Sequence, residues 1–416
     1  MRTPPNRVAV VALVLLVLAC IGVWLWMRPR VSLQPAGNST EVTGPLARGT
    51  HDKTNPAGKG MESGVRSKAA ELCGEAMNAA LSRHVLSLKT RDDANSQVSY
   101  ALSLPFAVYS EMHKLGSAEL ARKEFERRME WQRSESRQAF ARAKTLAPDD
   151  AGIVWLAATH CGGGAECVEA QQALLRAEPN NAAAWLMEMG WARMRDDKLA
   201  YERAFDRASA STAYDRHAGA NLLAMLDSFA EVPMPRECKV PGVQSELRRD
   251  FPGEGAVDVA DFVQVWAVAT TQFPAYGGLT KSCKPAADAK PDTARFAGCR
   301  RILEMLAAGD SMLEQSIALA LLVELAGDGP DAGRWRQRYR ELQWMQAQMV
   351  DMATQRPQTA TALHSLTMED YIFDEMRAMQ AALQVAGRWP PPADWLPSNE
   401  GARSLILTGR PPESSR

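Results

Sequence analysis

The sequence predicts an all-α protein, and three observations carry the prediction. From about Ala69 to Ala386 nearly every segment has apolar residues at helical spacing, helix-forming composition and short Gly or Pro punctuation. No Val/Ile/Thr-rich alternating run marks a strand. The composition, 416 residues with 46% hydrophobic, 23% charged, 24 Pro and 28 Gly, is globular, with room for one large or two medium domains. Collagen, coiled-coil and fully disordered readings are excluded on the same numbers.

The chain opens on a short segment, residues 1–7, expected to be cytoplasmic. Val8 to Met27 follows as twenty residues without a charge. At ~1.5 Å per residue this run reaches across the ~30 Å hydrocarbon core as a helix. Trp24 and Trp26 close it directly before Arg28 and Arg30, the order expected of an aromatic belt and head-group anchors. A cleaved signal peptide would have a shorter apolar segment and an Ala-x-Ala site, and none follows. Val17-Leu18-Ala19-Cys20 loosely resembles a lipobox, but the apolar run continues seven residues beyond Cys20. A single-pass anchor is therefore expected. Arg2 and Arg7 on one side against Arg28 and Arg30 on the other leave orientation by charge near a tie.

The formal charge is −1, and four of the 48 basic residues lie in the first thirty positions, where no acid does. The remainder is thus net acidic, which argues against nucleic acid as its partner. Residues 28–68 are rich in Pro, Gly, Ser, Thr and Asn without apolar periodicity, the composition of a flexible linker.

Beyond Cys20 six cysteines remain, and an even number in an exported domain suggests disulfides. Cys161 and Cys167 are local to each other across a Gly-rich turn, as are Cys283 and Cys299 across a Pro-containing loop. Elimination joins Cys73 to Cys238. Six buried free thiols in a cytosolic domain are the alternative. The disulfide reading breaks the tie of charges and places the all-α part, residues 69–387, on the exported, periplasm-like side of the membrane.

Within that part Ser117 is placed to cap a long charged helix through Leu120, Phe125, Met129 and Trp131 that ends near Pro148, since a serine oxygen accepts from free backbone N–H groups. Asp310 or Ser311 is placed to cap Met312 to Leu325. Thr367 to Asp370 opens a helix carrying Ile372, Met376, Met379 and Leu383, ended by Gly387. Residues 388–416 read as a Pro-rich extended tail, because proline disfavours helix for itself and its predecessor. Trp389 and Trp395 flank its prolines and are expected to lay it back on the protein's own helices.

One stretch has a longer period. Phe140-Ala141-Arg142-Ala143 leads to Pro148-Asp149-Asp150, and Leu174-Leu175-Arg176-Ala177 leads to Pro179-Asn180-Asn181, with the prolines 31 residues apart. Trp185 follows the second proline by six residues, and Phe205 and Ala208 follow Trp185 by 20 and 23. A proline past a helix end, a capping residue, then an aromatic at this spacing resembles a tetratricopeptide-type helix pair. Glu188, Met189 and Tyr201 stand where that family has Leu, Gly and Ala, and the preceding unit is three residues short. The resemblance covers about residues 140–211 and implies an irregular tetratricopeptide-like α-solenoid of helical hairpins, whose concave face binds peptides or protein segments. Leu186 and Gly190 stand at the positions where peptide-clamping members hold a carboxylate, so carboxylate capture is not implied. Trp155 and Arg193 are the candidate groove residues, with ordinary packing and surface roles as the alternative.

No catalytic set assembles in the sequence. The six histidines show no His-x-x-x-His spacing, and His160, Cys161 and Cys167 supply three zinc ligands where a structural site wants four. Gly309-Asp310-Ser311-Met312-Leu313 resembles the Gly-Asp-Ser-Leu hydrolase signature, but the segment before it is helical and that family's Asp-x-x-His element is absent. Arg334, Arg336, Arg338 and Arg340 interleave with Trp335 and Tyr339, whose spacing to Leu342 and Met349 turns the aromatics inward and leaves the arginines solvated. No metal and no cofactor is expected. The expectation is a membrane-tethered scaffold or adaptor that binds a protein or peptide in the cell envelope, with no nucleic acid as partner. An envelope hydrolase built on Ser311 and a structural subunit of a membrane assembly are the competing classes.

Overall fold

The computed structural model describes residues 68–109, 118–161, 165–250, 257–259, 263, 273–274, 276–284, 294–354 and 374–412. The Val8 to Met27 run, the linker up to residue 67, Ser117 and the Thr367 to Asp370 cap lie outside the described residues. Among the described residues no helix is long and apolar enough to cross a membrane.

The described chain is all-α. The helices are α1 (Lys68–Leu88), α2 (Ala94–Tyr109), α3 (Ala118–Leu146), α4 (Ala151–Thr159), α5 (Ala165–Ala177), α6 (Ala182–Met194), α7 (Lys198–Ala210) and α8 (Ala218–Ala230). After a 3₁₀ turn, Arg236–Lys239, come α9 (Pro241–Asp250), α10 (Tyr276–Cys283), α11 (Ala294–Ala307) and α12 (Met312–Ala326). The chain then forms α13 (Ala332–Thr354), α14 (Glu375–Val385) and α15 (Glu400–Thr408).

Side-chain oxygens that accept the first free N–H groups mark several of the starts. Asp150 accepts from Ile153, Asn181 from Ala183 and Asp197 from Ala200. The first two caps stand two residues after Pro148 and Pro179, so the punctuation of the 31-residue period is also its capping chemistry. The helix expected from Thr367 has its described cap at Asp374, which accepts from Arg377.

Apolar side chains gather in two large clusters and a small one between them. Met77, Leu81, Tyr100, Leu104, Phe140, Met225 and Phe229 build the first, from α1 to α3 with α8 returning across α2. Leu186, Phe205, Leu279, Ile302, Leu319, Trp335, Met379 and Ile406 belong to the second, which spans α6, α7 and α10 to α15. Val154, Trp155, Leu174, Ala183 and Trp191 form the small one, where α4, α5 and α6 meet. From α3 to α7 each helix touches the next, a contact that a solenoid requires but that two antiparallel neighbours in any helical bundle also make. In contrast α8 returns to α2, α10 to α6, and α11 to α7.

Two expectations change at the carboxy-terminal end. Trp335, Tyr339, Leu342 and Met349 are buried as their spacing requires, but the arginines between them are not simply solvated. Arg338 donates to the Ala307 carbonyl at 2.6 Å, and Arg336 to the carbonyls of Gly327 at 2.9 Å and Thr408 at 3.3 Å. These carbonyls end α11, α12 and α15, where orphan acceptors and the helix dipole both favour a cation. The extended tail holds only through residue 398. Trp395 meets Trp344 edge to face at 5.0 Å, and Trp344 Nε1 donates to the Arg388 carbonyl at 2.8 Å, which lays the strap on α13. Beyond it Glu400–Thr408 is helical, capped by Asn399 and closed by Gly409 at φ 72°, with Ala402, Leu405 and Ile406 buried. The proline run masked this short helix in the sequence.

Candidate functional site

The densest chemistry lies at the seam between α6–α8 and α10–α12. Asn181 builds its near wall. Besides capping α6, its Nδ2 donates to the Asp215 carbonyl at 2.7 Å and its Oδ1 accepts from Asp215 N at 3.0 Å. The segment before α8 is thereby clipped to the start of α6, and the chain turns at His217 through φ 52°. A left-handed non-glycine residue is sustained here by Asp215, whose carboxylate accepts from His217 N at 2.7 Å. The clip presents Tyr214 and Arg216 to the first turn of α12.

There they meet Glu314, whose side chain is 0% exposed against 8% for Arg216. Glu314 Oε1 accepts hydrogen bonds from the Tyr214 hydroxyl and, at 2.6 Å, from that of Tyr276 at the start of α10. Arg216 Nε lies 2.6 Å from the same oxygen, and its guanidinium stands 4.6 Å from the centre of the Phe273 ring. Asp310, with a 46% exposed side chain, approaches Arg216 at 3.5 Å from the solvent side. The Arg216–Glu314 pairing is a close charge contact rather than an aligned hydrogen bond. Among the described residues, Arg216 Nε and Nη1 and Glu314 Oε2 are buried without hydrogen-bond partners.

Burial dominates the protonation of this cluster. It raises the Glu314 carboxyl above the ordinary glutamate value, against the opposing pull of Arg216, and raises Asp310 in the same way. Both tyrosine hydroxyls are pushed well above 10 by burial and by the charges around them. Burial is the largest influence on Arg216 and opposes its charge, but Glu314, Tyr214, Tyr276 and Asp310 together outweigh it and hold the guanidinium protonated. The cluster therefore holds protons firmly and ties three chain segments together. A substrate has no access to Glu314, so the geometry is that of an internal joint.

The sequence gives little sign of this joint. Tyr214 and Glu314 are 100 residues apart, and each residue type is ordinary in isolation. Ser311-Met312-Leu313-Glu314 even has the spacing of a capping box, in which Glu314 would reach back to the helix start. Instead Glu314 turns inward, Ser311 stands at the N-cap without a side-chain cap bond, and Glu375 from α14 accepts from Met312 N at 2.9 Å. Ser311 is itself buried.

The candidate groove residues separate. Trp155 is 2% exposed inside the small cluster, so it is a core residue and not a groove residue, because α5 and α6 close over the ring. Arg193 is exposed near the end of α6. Its Nη1 is 3.6 Å from where a Cβ on Gly277 would stand, so α10 flanks the face that Arg193 belongs to. Tyr201, standing where the repeat family has Ala, makes that docking: its hydroxyl donates to the Gly278 carbonyl at 2.8 Å and lies 2.7 Å from Ser282 Oγ. A Cβ on Gly278 would stand 3.2 Å from the Tyr201 hydroxyl, so the close approach uses the missing side chain.

The six cysteines beyond Cys20 stand in three pairs, Cys73–Cys238, Cys161–Cys167 and Cys283–Cys299, with Cα separations of 4.7, 4.9 and 5.5 Å. The first ties α1 to the 3₁₀ turn 165 residues later. Among the described residues no group of three His, Cys, Asp or Glu side chains is placed to hold a metal. His160 packs against Phe140, its Nδ1 donates to the Leu156 carbonyl at 3.1 Å, and burial lowers its pKa.

Apolar exposure concentrates at one hairpin. Met194 and Leu199, at the turn from α6 to α7, are 78% and 77% exposed, more than any other large apolar side chain described. Arg193, Arg195, Asp196, Asp197 and Lys198, all exposed, flank them in the chain. No protein-family model matches the sequence, and no similar chain is found among curated proteins or solved structures.

Proposed function

We propose that this protein is a membrane-tethered scaffold or adaptor of the cell envelope that binds a protein or peptide partner through the tip of the α6–α7 hairpin. The observation that carries the reading is the exposure of Met194 and Leu199, two large apolar side chains left in water among exposed charged residues of both signs. An apolar pair with a charged rim is the form of a small recognition surface. The resemblance of residues 140–211 to a tetratricopeptide helix pair supports it, and Phe205 and Ala208, at that pattern's large and small positions, are buried.

Val8 to Met27 is the proposed anchor, with residues 1–7 cytoplasmic and the helical part on the exported side. The three cysteine pairs support an oxidising compartment. The test is photocrosslinking in intact cells from Arg193 and Leu199. A single dominant adduct that disappears in Leu199→Asp is expected. Equal, diffuse labelling from the hairpin tip and from exposed Leu407 on α15 would defeat the proposal.

A further inference from the structure

We infer that Cys161 and Cys167 form a thiol–disulfide exchange site, open to an external dithiol, while the other two pairs are structural. The contrast begins with access. Cys73, Cys238, Cys283 and Cys299 are all fully buried, whereas Cys161 is partly exposed at the end of α4. Cys167 lies beneath it in the first turn of α5, where free backbone N–H groups stabilise a thiolate.

A second donor is aimed at the same sulfur. Gln171 is buried, and its Nε2 lies 3.1 Å from Cys167 Sγ and 4.0 Å from Cys161 Sγ. Arg195 fixes which end of the amide faces the sulfurs. Arginine has only donors, and Arg195 Nη1 donates to Gln171 Oε1 at 3.2 Å, so the NH₂ group points at Cys167. Glu188 in turn holds Arg195 through Nη2 at 2.8 Å. A disulfide sulfur is a weak acceptor, which makes poor use of a buried amide. A thiolate is a strong one, and the positive Arg195 at the far end of the amide strengthens the donor. The surroundings of Cys167 thus favour the reduced, ionised form over the disulfide, the condition for a readily exchanged bond.

The step balances as ordinary exchange. A thiolate of the reductant attacks Cys161 Sγ, the S–S bond breaks, and Cys167 leaves as the thiolate held by Gln171 and the α5 N-terminus. The second thiol of the reductant then attacks the mixed disulfide, releasing Cys161 and leaving the reductant oxidised by two electrons. An oxidising disulfide runs the sequence backwards.

The test uses the full chain in its native state, titrated with dithiothreitol, alkylated, and mapped by peptide mass spectrometry. Cys161 and Cys167 are expected to label together at about tenfold less reductant than opens either other pair. Opening of all three pairs together would overturn the inference. In the reduced protein, the pH profile of Cys167 alkylation is expected to move to higher pH in Gln171→Leu, with the rate near neutrality falling about threefold. Arg195→Met, altered at the surface, is expected to move it the same way by less. Profiles unchanged in Arg195→Met and in folded Gln171→Leu would show access without activation and would also overturn it.

Discussion

The Tyr214–Arg216–Tyr276–Glu314 joint and the α6–α7 tip are opposite solutions in one molecule. The joint places a carboxylate and a guanidinium out of water, while the tip leaves Met194 and Leu199 in it. Burial of a charge is tolerable only where a partner stands within contact distance, as Glu314 does for Arg216 at 2.6 Å. Exposure of an apolar side chain costs the folded state nothing relative to the unfolded chain, because it is wet in both. Residue type therefore predicts neither position; the neighbours do. The difference also separates stability from recognition, since the joint serves the first and the tip is available for the second.

The largest effect is expected from Glu314→Ala, which strands the Arg216 charge and two hydroxyls together and is predicted to cost about 3–5 kcal/mol in urea denaturation. A loss under 1 kcal/mol would break the comparison. Tyr276→Phe removes one buried hydroxyl donor and leaves the charge contact, so about 1–2 kcal/mol is expected from the same measurement.

The pH dependence sharpens the electrostatics of the joint. Burial raises the Glu314 carboxyl in the folded state above its ordinary 4.5, so its proton is held more firmly folded than unfolded. The corresponding stability is complete below that ordinary value and is lost as pH rises through the raised folded one. Stability of the wild type relative to Glu314→Gln is thus expected to fall as pH rises from 4.5. Asp310, raised in the same way, retains part of the slope in both proteins. A difference that grows with pH would mean that Arg216 outweighs burial at Glu314. The smallest change in stability is expected at the tip, where Leu199→Ser and Met194→Ser should stay within about 0.5 kcal/mol while crosslinking to the partner is lost.

Much of the architecture was legible one element at a time. Trp335, Tyr339, Leu342 and Met349 revealed the inward face of α13 by spacing alone, and the residues after Pro148 and Pro179 announced their own caps. Cys161–Cys167 and Cys283–Cys299 followed from proximity along the chain. Packing for Trp155 and surface for Arg193 were the plainer readings of the sequence, but which side of each helix faces outward was not legible. A single degenerate repeat gives period without phase, and phase decides which side of α4 the neighbours cover.

What the sequence by itself determined is therefore local: helix after helix, capped and punctuated, with the cysteines that join them and the apolar run at Val8 to Met27. Tertiary structure decided the rest. It sent Glu314 inward instead of back to its own helix start, docked α10 on Tyr201, and turned Arg336 and Arg338 onto the carbonyl ends of three helices. The physical reason is that a helix is closed by hydrogen bonds four residues apart, which neighbouring residues specify. A buried polar group is instead satisfied by a partner that folding brings from any distance, and no spacing along the chain announces which one it will be.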